Sequence, residues 1–149
     1  ERKNPSEIIG KPASDPEVAK IINLIDKSFH DSNLRFSDEE NFDDLKERAK
    51  KLLYFLQNRP EKNIMCVTHA IFLRLVALYI EYGDNIDSHE LVRLSFLNPV
   101  HNGSLTLCQW NEADTTNEHF GWKLTVWDDY PRLLDEGTDN LPGKGPIQV

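Results

Sequence analysis

Apolar residues return at helical spacing twice in the first third of the chain. Val18, Ile21, Ile22, Ile25 and Phe29 form one apolar face, which predicts a helix opened by Asp15 as cap and Pro16 at its first position. The stretch HDSNLRF interrupts the pattern. Ser37 and Glu40 then stand in the S-x-x-E relation of a capping box. The helix expected after them turns Phe42, Leu45, Ala49, Leu52, Leu53 and Leu56 inward, with Asp43, Lys46 and Lys50 outward. Pro60 disfavours helix at Arg59 and closes that element. Next comes an unbroken run, Ile64, Met65, Cys66 and Val67, which predicts a buried strand over 63–68. A helix from about Ala70 to Tyr82 follows and stops at Gly83. Ser88 and Glu90 open a short further helix. Period-2 alternation over 103–110 and 122–129 predicts two strands paired across the polar loop 111–121. The first residues, ERKNPSEIIGKPASDPE, form a loop.

Helix, helix, strand, helix, helix, strand, strand is the order of an α/β domain with three layers. The expected boundaries are one domain over 1–130 and an irregular C-terminal extension over 131–149, where prolines and glycines crowd and apolar anchors are few. The sheet is thin for so many helices, since about three strands are visible.

The chain has 149 residues and carries 25 acidic against 17 basic side chains, a net charge of −8. Non-specific nucleic-acid binding rests on surplus Lys and Arg, so the expectation is no nucleic acid partner. A small anion remains compatible, because a local cationic pocket can lie within an acidic surface. No run approaches the roughly 18 apolar residues of a membrane span and no leader is visible, so the expectation is a cytoplasmic protein with no membrane partner. Cys66 and Cys108 both fall in apolar runs and read as buried thiols in a reducing compartment. The first residue is Glu1 and not Met, which is expected of a fragment or a processed product.

The residue with chemistry in its position is His69. It follows the apolar run and precedes a helix, and in open α/β sheets ligands bind where a strand ends and a helix offers free N–H groups. An imidazole there can hold a phosphate oxygen or relay a proton near neutral pH. Arg74, five residues on, suits either a carboxylate pair or phosphate. His101 sits in the loop before a strand, which can approach the same end of the sheet. His30, His89 and His119 stand in polar surroundings. No H-x-x-x-H or C-x-x-C spacing exists, so neither a metal nor another cofactor is expected. G-x-S-x-G, G-x-x-x-x-G-K-[ST] and G-x-G-x-x-G are absent too. The acidic runs 38–40 and 43–44 suit a helix start. Trp110, Trp122 and Trp127 suit strand-face packing.

VTHAIFLR together with NGSLTLCQW resembles the C-terminal half of the histidine phosphatase superfamily, the phosphoglycerate mutase-like proteins. In that family a strand ends in a second active-site histidine, with an arginine five positions later. His69 and Arg74 keep this spacing, while Ala70 stands where the family usually has Gly. "ER" followed by Gly10 resembles the segment of the acid/base glutamate, which assigns that role to Glu1, with Glu7 as rival. The resemblance implies that His69 and Glu1 are catalytic, and that His69, Arg2 and Asn102 hold phosphate or substrate. It also implies a three-layer α/β/α phosphoglycerate mutase-like fold and a phosphatase acting on a small phosphorylated substrate through a phosphohistidine. The family's nucleophile lies in an R-H-G segment at the end of the first strand, and this sequence contains no R-H-G. The expectation is therefore a fold that lacks its N-terminal strand, inactive alone, with an open sheet edge through which chains can associate. The alternative is a non-catalytic module that binds a phosphorylated ligand or a protein partner.

Overall fold

The computed structural model describes residues 2–31, 33–97, 100–113 and 121–130. Within them the chain is mixed α/β, with four α-helices and one two-stranded sheet. Helix α1 spans Pro16–Ser28, and the Asp15 carboxylate accepts the Glu17 N–H at 2.9 Å, satisfying one of the free donors of its first turn. Its expected apolar face is inward, with Val18, Ile25 and the following Phe29 buried.

Helix α2 spans Phe42–Gln57 and starts later than the Ser37–Glu40 pair predicted. Its capping box belongs to Asn41 and Asp44. The Asp44 N–H donates to Asn41 Oδ1 at 3.0 Å, and the Asn41 N–H donates to Asp44 Oδ2 at 3.1 Å. Asn caps as well as Ser does, and the same three-residue spacing recurs four positions on, so the local pattern permitted both. Tertiary partners decide between them. The Ser37 hydroxyl donates to Glu7 at 2.6 Å, and Glu40 accepts the Lys3 N–H at 2.8 Å.

Helix α3, Ala70–Tyr82, buries every residue from Arg74 to Ile80, as expected of a helix that is apolar nearly all round. Phe42, Leu45, Ala49 and Leu53 of α2 form the core with Phe72, Leu75 and Tyr79 of α3. Helix α4, Ser88–Leu97, adds Leu91 to it, and Asp87 Oδ1 accepts the Glu90 N–H at its start. Strand β1, Leu105–Trp110, pairs antiparallel with β2, Trp122–Asp129. The helices lie against the face that carries Cys108, Trp110, Trp122 and Leu124. Leu105 and Leu107 are exposed on the other face. The alternation predicted the strands correctly, but the more apolar side of β1 is the one left open.

The buried strand expected over 63–68 is not formed. Residues 63–69 run without helix or strand pairing, and Met65 and Val67 are 87 % and 88 % exposed. An isolated strand leaves its backbone donors and acceptors to water, so β-propensity alone does not fold one. Among the described residues no neighbouring strand supplies the ladder. Cys66 is consequently exposed and not buried, whereas Cys108 is partly covered and burial pushes its thiol up. The centre of the loop, 114–120, and the extension expected over 131–149 lie outside the described residues. No helix among the described residues is long and apolar enough to cross a membrane.

Candidate active site

His69 is the N-cap of α3, with extended backbone at φ −114° and ψ 153°. Its carbonyl accepts the first helical bond, from Leu73 N–H at 2.9 Å. Its side chain makes no capping bond, and the first turn contains no acidic residue. Among the described residues, the early N–H groups of α3 therefore have no intrahelical partner and no cap from the His69 side chain. Together with the positive end of the helix dipole, they favour an anion beside an exposed imidazole.

Phe72 stands one turn in from His69, on the same helix face. The Arg48 guanidinium of α2 lies over its ring, 4.3 Å from the centroid, and Arg48 also pairs with Glu40 at 3.2 Å. Arg48 is a cation near the start of α3 that sequence spacing did not single out.

Arg74 is 8 % exposed. Burial lowers the pKa of its guanidinium, and the charge of Asp128 opposes that shift. The sequence left open a carboxylate partner or a phosphate contact for it, and the charge of Asp128 acts on it. Arg74 also lines a largely apolar cavity of about 230 Å³ between α3, α4 and β2, with Leu78, Glu81, Tyr82, Leu94 and Trp127.

Asp128 itself belongs to an irregular stretch of β2. Leu105 opposes Asp129 and Leu107 opposes Val126, so β2 has one residue more than β1 between these pairs. Such a bulge re-aims a side chain. Asp128 takes φ 51°, the one positive φ outside glycine among the described residues. Its carboxylate accepts the His101 backbone N–H at 2.7 Å through Oδ1, and Oδ2 lies 2.5 Å from His101 Nδ1. Burial raises the Asp128 pKa, but hydrogen bonds from Ser104 and His101 outweigh it, and the net shift is downward. The His101 ring is 36 % exposed and stacks on Tyr130 at 3.8 Å between centroids. Asn102 is exposed in the turn directly before β1.

The remaining candidates lie elsewhere. Arg2 pairs with Asp26 at 3.0 Å and covers the Phe29 ring, which fastens the N-terminal segment to α1. Glu7 holds the Ser37 hydroxyl, and Glu1 lies outside the described residues. Lys3 and Arg35 are engaged by Asp38 and Asp44, at 2.8 and 2.7 Å. Lys3 and Ser6 hold the Asp38 carboxyl far below its ordinary range. His30 and His89, far apart in sequence, stack on each other. No group of three or more His, Cys, Asp or Glu side chains among the described residues is arranged to hold a metal ion.

Residues 15–123 match the family model of the histidine phosphatase superfamily (branch 1). The match includes His69, Arg74, His101 and Asn102 and leaves Glu1 and Arg2 outside. No curated protein and no solved structure matches the chain.

Proposed function

The chain belongs to the histidine phosphatase superfamily, and from that premise we propose that it is a phosphoryl-transfer protein in which His69 holds the phosphate of a small phosphomonoester. The observation that carries this reading is the environment of His69. An exposed imidazole stands at the start of α3, beside N–H groups that no acidic residue of the first turn neutralises. Donors of this kind stabilise the charge that spreads over a phosphoryl group in transfer, commonly the largest catalytic term.

The reaction would run through a phosphohistidine. A histidine nitrogen bonds to phosphorus as the bond to the leaving oxygen breaks, and a carboxylic acid protonates that oxygen. Water then cleaves the P–N bond and releases phosphate. Glu1 and Glu7 are the candidates for the acid. The nucleophile of the family sits in an R-H-G segment, and the 149 residues have none. In this reading they bind phosphate without hydrolysing its esters.

The test is hydrolysis of p-nitrophenyl phosphate by the 149-residue chain and by His69→Ala, with calorimetric titration of phosphate and vanadate. The expected result is no turnover above the His69→Ala control, and anion binding that this substitution removes. Turnover abolished by His69→Ala would overturn the inactivity of the chain alone. Absence of anion binding would overturn the phosphate-holding role.

A second reading has its own observation. The exposed stretch with Met65 and Val67 is an apolar, extended segment without a strand partner among the described residues. This favours a module that pairs with another chain through the open edge.

A further inference from the structure

We propose that the cavity between α3, α4 and β2 is a binding site for a small carboxylate with an apolar body, of the size of one aromatic ring on a short arm, and that Arg74 holds the carboxylate. The proposal does not depend on the reading of His69, which is not among the residues around this cavity.

Size and lining set the body of the ligand. The cavity measures about 230 Å³. An apolar void of about 150 Å³ admits benzene, so this one has room for a ring with an arm. It lies below the range of about 300–1,000 Å³ that takes drug-sized molecules, which keeps the ligand small. Ala77, Leu78, Leu94 and Leu124 give apolar walls and Trp127 an aromatic one. A few placed polar groups in such a lining fix how a ligand lies.

The two charged groups here are Arg74 and Glu81, both on α3. They are seven residues apart, about 10.5 Å along the axis at about 1.5 Å per residue. Arg74 is buried, whereas Glu81 and Tyr82 beside it are exposed, so the cavity opens at the Glu81 end and is closed at the Arg74 end. Burial lowers the pKa of Arg74, and the charge of Asp128 offsets this only in part. Both Asp128 oxygens are themselves engaged by His101. A second carboxylate would act on the guanidinium in the same sense as Asp128, and a planar fork of five N–H donors serves more than one partner. Glu81 opposes the reversed orientation, because a carboxylate left at the mouth would face a like charge.

The experiment is an NMR titration of the 149-residue chain with 3-phenylpropionate, 3-phenylpropanol and 3-phenylpropylamine, which share one body and differ in charge. The indole N–H signal of Trp127, identified by its loss in Trp127→Phe, reports occupancy. A saturable shift with the acid is expected. The alcohol should bind at least about ten-fold more weakly, the scale of one charge-assisted hydrogen bond, and the amine no better than the alcohol. Leu94→Phe, which fills the cavity from a partly buried wall, should remove binding of the acid. Arg74→Gln should bring the acid down to the affinity of the alcohol, and if that variant does not fold, the three compounds still decide. Equal affinity for all three, or tightest binding of the amine, overturns the inference. So does binding of the acid that survives Leu94→Phe, which places it elsewhere. No saturable shift with any compound makes the cavity a packing void and overturns it as well.

Discussion

The imidazole rings of His30 and His89 stack 4.4 Å apart and within 6° of parallel, joining the end of α1 to the first turn of α4. Burial lowers the pKa of His30, the charge of His89 lowers it further, and Asp87 partly opposes both. The folded protein therefore binds this proton less readily than the unfolded chain, whose ordinary value is 6.5. Stability contributed by the neutral ring is present above that value and is lost as the pH falls through it. The expected outcome is a urea midpoint that drops on going from about pH 7.5 to about pH 5.5. His30→Gln should flatten part of that slope, and an unchanged slope would show that other groups set it.

Leu75 is fully buried between α2 and α3, whereas Leu107 lies on the open face of β1. Truncating a buried leucine removes its contacts and leaves a cavity. Leu75→Ala should cost about 2–5 kcal/mol, while Leu107→Ala should stay within about 0.5 kcal/mol. Denaturant unfolding of the two variants checks this. Equal losses would mean that the outer face of the sheet is covered in solution.

Gly121 begins the return of the hairpin at φ 76°, and its carbonyl accepts the Asn111 N–H at 3.0 Å. An added Cβ would run into the Asn111 carbonyl and the Trp110 ring. Gly121→Ala should therefore lose at least about 1–2 kcal/mol, the cost of a left-handed backbone with a side chain, before the clash is counted. It should also disturb the Trp110–Trp122 contact at 5.6 Å, which near-UV circular dichroism would register. An unaltered spectrum and midpoint would contradict the described turn.

Met65 and Val67 project apolar side chains into solvent from a segment with no strand partner among the described residues. Such a stretch pairs readily with another chain. Gel filtration of the 149-residue chain should show an elution volume that decreases as concentration rises. The double variant Met65→Lys and Val67→Lys should elute later and independently of concentration, because charge on an exposed edge opposes pairing. Concentration-independent elution of the parent would exclude this edge as an association site.

Much of the framework was legible without coordinates because its causes are local. The Asp15–Pro16 start of α1, the apolar run of α3 and its stop at Gly83 follow from capping and periodicity, which act over a few residues. The place of His69 at the head of α3 was legible for the same reason, but the strand expected to end at it is not formed. Alternation also revealed β1 and β2, yet it did not tell which face of β1 would be covered. That depended on which side the helices occupy.

Other features needed the tertiary structure. Asn41 displaced Ser37 as the cap of α2 because Glu7 and Lys3, remote in sequence, engage Ser37 and Glu40. Residues 63–68 have the composition of a strand, but strand formation requires a neighbour and composition cannot supply one. The Asp128–His101 pair spans 27 positions and depends on a bulge in β2, while His30 and His89 meet only because α1 and α4 are brought together. The sequence by itself determined the helices, the hairpin and the residue at the head of α3, since short-range hydrogen bonding and periodicity decide these. Tertiary structure alone decided which cap is used, which apolar face stays open and which histidine acquires a carboxylate, because each requires groups far apart in the chain to meet.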